Sequence, residues 1–148
     1  MNKTERALTC FNHFNCCQAV LSAFNEELGL DDSMSLKLGA GFGGGMNCGE
    51  TCGAVTGAYL VLGMALGEPT SDAEAKARTR QHILHFNDQF CKEQGSLLCK
   101  ELLGVNISLD EGRQFATENN LFEIRCPNFV STSVGILEEQ LAGKKKGV

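Results

Sequence analysis

Gly41-Phe-Gly-Gly-Gly-Met-Asn-Cys-Gly-Glu-Thr-Cys52-Gly-Ala-Val-Thr-Gly57 is a glycine-rich loop that runs directly into a small-residue helix, which continues to about Leu66. The helical part is apolar nearly all round, through Ala54, Val55, Ala58, Leu60, Val61, Leu62 and Met64. A helix without a polar face belongs inside a fold, so residues 52–66 are expected at its centre. Gly53 with Gly57, and Gly63 with Gly67, are spaced to let neighbouring helices approach closely. The run is too short to cross a bilayer, so the spacing is read as packing within a helical protein.

Cys52 stands at the seam. With Thr51 as N-cap it would take the first helical position, where unpaired backbone N–H groups and the helix dipole favour the thiolate. Gly43, Gly44, Gly45 and Gly53 can turn backbone N–H groups towards an anion, which makes them the candidate cofactor-binding positions. The plainer alternative is a tight connection with Cys52 as a small buried residue.

One all-helical domain is expected over residues 1–148, long enough to bury a core without covalent staples. A net charge of -5 argues against nucleic acid, because no basic stripe is present to neutralise phosphates. The run Lys144-Lys-Lys146 reads as a frayed, solvated tail. No secretory signal or membrane insertion is read, and a cytoplasmic location follows by default. There the eight cysteines, Cys10, Cys16, Cys17, Cys48, Cys52, Cys91, Cys99 and Cys126, point to thiol chemistry or metal rather than a structural disulfide framework.

The remaining chain reads as helices throughout, six to eight in all. A first helix over 4–13 has Ala7, Leu8, Phe11 and Phe14 inward. Asn15 caps a second, with Ala19, Val20, Ala23, Phe24 and Leu28 inward and Gly29 as its stop. Asp32 to Gly39 is a short third. Ser71 and Glu74 form a capping box opening a long helix to about Glu93, with Ala77, Ile83, Leu84, Phe86 and Phe90 towards the core. Ser96 caps a short helix ending at Gly104, and Ser108 with Glu111 opens another to about Asn119. Cys126-Pro127 starts the last helix, which ends at Gly143, because proline suits the first helical position. No period-two alternation or hairpin turn suggests a strand.

Four cysteines therefore fall in or beside first turns: Cys16 after Asn15, Cys52 after Thr51, Cys99 three residues after Ser96, and Cys126 before Pro127. If these helix ends converge, dipoles and orphan N–H groups meet at one sulfur-rich spot. Such a spot suits thiolates, or an iron–sulfur cluster whose sulfurs accept N–H bonds. No CxxC spacing occurs, so zinc-ribbon and thioredoxin templates do not apply.

Asn15-Cys16-Cys-Gln18, Cys52-Gly-Ala-Val-Thr-Gly57, Gly95-Ser-Leu-Leu-Cys99-Lys-Glu-Leu-Leu-Gly104 and Cys126 together resemble the C_GCAxxG_C_C family of redox-active proteins, here through a CGAxxG core. The resemblance runs from about residue 12 to 138. It implies a prokaryotic, cytoplasmic helical protein, often encoded near transporter genes, whose redox partner is unknown and linked to membrane transport. It also places the family cysteines on Cys16, Cys52, Cys99 and Cys126. Cys17 and Cys48 depart from the pattern, which leaves open whether Cys16 or Cys17 faces the site and whether Cys48 is a resolving thiol. Cys10 and Cys91 read as core fillers.

Three readings follow. In the first, Cys52, Cys16, Cys99 and Cys126 are the catalytic thiols of an electron-transfer or oxidoreductase site. In the second, the same four ligate an iron–sulfur cluster or zinc. The third is a non-catalytic helical interaction module, and the small-residue helix packs either within one chain or across a homodimer. His82, His85 and Asp88 on one helix face are a weaker metal candidate than a solvated surface. His13 and Glu50 lie near enough in sequence to Cys16 and Cys52 to act on their protons.

Overall fold

Nine α-helices and no strand form among the described residues, 1–145, of the computed structural model. The all-α expectation holds. Helix α1 (Lys3–Phe11) starts at a complete capping box between Asn2 and Glu5. Helix α2 (Cys16–Ser22) starts at a second one, between Asn15 and Gln18. The expected single helix from Asn15 to Gly29 is broken. The Ser22 hydroxyl donates back to the Ala19 carbonyl and the Phe24 N–H tightens onto Leu21, so α3 (Asn25–Leu28) begins afresh. Gly29, at φ 67°, stops it as expected. Helix α4 (Asp32–Gly39) is capped by Asp31.

A 3-10 turn (Ala40–Phe42) then leads into the glycine loop. Four successive residues, Gly44, Gly45, Met46 and Asn47, all have φ between 58° and 63°. That is a single left-handed turn. Two of its members carry side chains, each at a cost of about 1–2 kcal/mol, so the surrounding contacts must hold it.

Helix α5 (Gly53–Leu66) is the centre of the fold, with every residue from Gly53 to Ala58 buried, as well as Val61 and Leu62. Its last turn emerges, and Met64 is exposed. Gly53 and Gly57 act as read from their spacing. A Cβ on Gly53 would stand 3.0 Å from the Cys17 nitrogen, and one on Gly57 3.0 Å from the Cys17 carbonyl oxygen and from Val20 Cβ. Helix α2 therefore lies directly on the glycine face of α5. Gly63 has no such neighbour and stands in open space. On another side, the buried Ser133 hydroxyl donates to the Ala54 carbonyl at 2.7 Å, tying the first turn of α5 to α9.

Helix α6 (Ala73–Gln94) is capped by Asp72, not by Ser71. Phe86 and Phe90 are fully buried and stacked, whereas Leu84 faces solvent, against expectation. Helix α7 (Cys99–Leu103) ends at Gly104 in the left-handed region. Helix α8 (Asp110–Glu118) follows Leu109 as its cap residue, because the Ser108 hydroxyl is engaged with Asn106 instead.

Helix α9 (Leu121–Lys145) departs furthest from expectation. It starts six residues before Pro127, once Asn120 has turned the chain through φ 55°. Proline lies inside it, where its missing N–H leaves the carbonyl of exposed Glu123 to water. Cys126 is thus not a cap residue. Gly143 does not end the helix, which runs on through Lys144 and Lys145, and Lys146 lies outside the described residues. One contiguous core joins α1, α2, α5, α6 and α9, and no helix among the described residues is long and apolar enough to cross a membrane.

Candidate active site: a cavity lined by four cysteines

A short antiparallel pairing of Thr51 with Leu98 brings two distant cysteines together. The Cys52 N–H donates to the Leu97 carbonyl at 2.8 Å and the Cys99 N–H to the Glu50 carbonyl at 2.6 Å. Each cysteine is thereby set at the start of its own helix. Thr51 is spent on this pairing and does not cap α5; Cys52 itself is the cap residue, one position earlier than expected. Its sulfur faces the N–H groups of Ala54 and Val55. Likewise Ser96 does not cap α7; the cap position is Leu98, and Cys99 is the first helical residue.

The close approach of α2 to the glycines of α5 delivers Cys16 to the same place. Cys126, from the second turn of α9, completes the set. All four line one cavity of about 440 Å³. Gly43, Gly44, Gly45 and Gly53 line it too, as do Asn15 and Asn47. Phe11, Phe14, Leu103, Ile107, Phe122 and Phe129 make its walls apolar. Three of the four sulfurs come from helix starts, as expected; the fourth comes from a helix interior.

Cys16 neighbours both Cys52 and Cys126 in the cavity wall. Their proximity divides the acidities. Hydrogen bonding from the Cys16 thiol holds the Cys52 pKa below the ordinary cysteine value despite burial, helped by the N–H groups of Ala54 and Val55. Cys16 is pushed well up, first by its hydrogen bonds to Cys126 and Cys52 and then by burial. Burial raises Cys99 to about 12, with repulsion from Cys52 and Cys126 adding to it and Arg113 opposing. Of the cavity thiols with a defined shift, Cys52 alone is biased towards the nucleophilic form.

Cys17 does not face the cavity. It is buried between α2 and α5 beside the Thr56 hydroxyl, and burial raises it to about 11. Cys48 is exposed directly after the left-handed turn and does not line the cavity. Cys10 is half-buried against the core, near Ser22 and Asp32, and Cys91 is half-buried on α6. His13 is exposed and lines a shallow depression with Cys10 rather than the thiol cavity. The Glu50 carboxylate points to solvent 3.8 Å from the Lys100 ammonium. Sequence reasoning missed Arg113 and the two-residue pairing, neither of which carries a local signal.

Among the described residues, no three His, Cys, Asp or Glu side chains are gathered so as to hold a metal ion. His82, His85 and Asp88 are likewise not gathered into such a group.

A family model described as "Putative redox-active protein (C_GCAxxG_C_C)" matches residues 14–140. The chain belongs to that family. Where the family label writes GCAxxG, this C_GCAxxG_C_C member reads Cys52-Gly-Ala-Val-Thr-Gly57. Comparison with curated proteins and with solved structures gives no match.

The split acidities make stability pH-dependent in a defined direction. Thiols of the unfolded chain ionise near 9.0, while folded Cys17 and Cys99 keep their protons to about 11 and 12. Above pH 9 the unfolded state binds fewer protons, so stability falls as pH rises until those folded values are passed. Each group contributes a slope of about 1.4 kcal/mol per pH unit in that window. Cys52 acts oppositely: its contribution is present above the unfolded value and lost as pH falls through its lowered folded one. With more thiols raised than lowered, urea midpoints under reductant should drop steadily between about pH 9 and 11. A flat profile there would contradict the buried, protonated assignment of Cys17 and Cys99.

Proposed function

We propose that this C_GCAxxG_C_C protein is a thiol–disulfide redox protein in which Cys52 attacks and Cys16 resolves. The observation that carries the reading is the proximity of a thiol held acidic at the start of α5 to a neighbouring thiol held protonated. An attacking thiolate beside a protonated partner is the arrangement dithiol exchange needs.

The chemistry balances as a two-electron transfer. The Cys52 thiolate attacks one sulfur of a disulfide R–S–S–R′, forming Cys52–S–S–R and releasing R′–S⁻. Cys16 gives its proton to that thiolate and attacks Cys52 Sγ. The second bond breaks, R–S⁻ leaves, and a Cys16–Cys52 disulfide remains. Substrate is reduced to a thiol and a thiolate, the latter taking its proton from solvent, while the protein loses two electrons. Of the three pairings open to four cysteines, proximity favours those that include Cys16 with Cys52 or Cys126.

Mild oxidation followed by alkylation and peptide mapping tests this. Two thiols should disappear, the Cys16 and Cys52 peptides should be linked, and a dithiol reductant should restore both. Retention of all thiols, or a link confined to Cys48, would overturn the assignment.

A further inference from the structure

Of the described residues that line the thiol cavity, Arg113 is the one with a charged side chain. Among the described residues its guanidinium makes no ion pair and no side-chain hydrogen bond, and it is exposed at the opening. The two neutral amides of the lining are already occupied. Asn15 donates to the Gly39 and Ala40 carbonyls and accepts from the Gln18 N–H, and Asn47 donates to the Gly41 carbonyl. No carboxylate of the described residues lines the space. In a chain of net charge -5 this is a local reversal of sign. The rest of the wall is aromatic and aliphatic, and about 440 Å³ accommodates a compact small molecule rather than a folded partner's loop.

We propose that the cavity selects small disulfides with an apolar, preferably aromatic, body and a carboxylate, the acid seated on Arg113 and the disulfide sulfur presented to Cys52. The inference rests on the thiol-exchange reading and adds a substrate class to it. The electron balance is the one already written, with the acid-bearing disulfide as oxidant. Phe11, Phe14, Phe122 and Phe129 take the ring, and Arg113 supplies the charge-assisted pairing that orients it.

The test compares three probes in a Cys48→Ser background, which removes the exposed thiol outside the cavity. They are the anionic aromatic disulfide dithiobis(nitrobenzoate), the neutral aromatic dithiodipyridine and the cationic aliphatic cystamine. Rates at Cys52 are read as the difference from the same protein carrying Cys52→Ser. Arg113→Gln should slow the anionic probe about three- to tenfold and leave the neutral one unchanged. Arg113→Lys should retain most of the preference, and cystamine should be slowest throughout. Circular dichroism verifies that the helices persist in each variant. If Cys52 reacts with the probes but Arg113→Gln slows all of them equally, or none, the substrate assignment is overturned and the exchange reading stands. If Cys52 reacts with no probe while other thiols do, both fall together.

Discussion

Cys52→Ser, made on a Cys48→Ser background, should remove the fast phase of alkylation at neutral pH and lower the total rate about tenfold, leaving the slow reaction of the other thiols. Four of the thiols left behind, Cys10, Cys16, Cys17 and Cys99, are pushed upward, the last two to about 11 and 12, so little of their thiolate exists at neutrality. The companion substitution is Cys16→Ala. It deletes the largest cause of the lowered Cys52 value, the thiol that donates to its sulfur. A hydrogen bond to a charged group contributes about 1.5–3 kcal/mol, so the alkylation midpoint of Cys52 should rise by about one to two pH units. The pH profile of iodoacetamide labelling, read on the Cys52 peptide, decides the matter. A native midpoint at or above the ordinary 9.0, unmoved by Cys16→Ala, would show that the two sulfurs do not share a proton.

The second large effect is expected away from any sulfur. Gly45 sits at φ 63°, and a Cβ there would lie 2.5 Å from the Glu50 nitrogen, 2.7 Å from the Glu50 oxygen and 2.8 Å from Cys99 Cβ. Two of these atoms are backbone and both are bonded, the Glu50 oxygen accepting from Cys99 in the pairing and the Glu50 N–H donating to the Gly45 carbonyl, so neither can step aside cheaply. Gly45→Ala should therefore cost about 2–5 kcal/mol, combining left-handed strain with overpacking. That is a large part of the stability of a domain this size. Gly41→Ala, four residues earlier with nothing within 4 Å, should change stability by about 0.5 kcal/mol or less. Urea unfolding of the pair separates a general intolerance of the loop from the specific clash. Equal, small effects at both positions would mean that the left-handed turn is not held by the Thr51–Leu98 pairing.

These two sites mark the limits of what could be read from the chain alone. Local signals served well where a residue's job is local. The Asn15 cap, the Gly29 stop and the close approach at Gly53 and Gly57 of α5 all do what was read from the sequence. They failed where a competing bond claimed the side chain. Thr51 was drawn into a pairing with residue 98, Ser96 donates its hydroxyl to Glu101 and accepts from the Leu98 N–H, and Ser108 turned to Asn106. Pro127 misled for a related reason. Proline at a first helical position is common because it costs nothing there, but inside α9 its lost bond falls at exposed Glu123, where water can replace it. Cys126 reaches the cavity from a helix interior, so the idea of four helix starts reduces to three.

Sequence alone determined the helical class and the central place of the Cys52 helix, and it singled out the four cysteines that line one cavity, since periodicity, caps and small-residue faces are written in near neighbours. Only the tertiary structure decided that Cys16 rather than Cys17 meets Cys52, that Cys99 is joined through a two-residue pairing, and that a lone arginine overlooks them. Those outcomes depend on which face of α2 lies on α5 and on contacts between segments more than forty residues apart. No periodicity within a single helix encodes either.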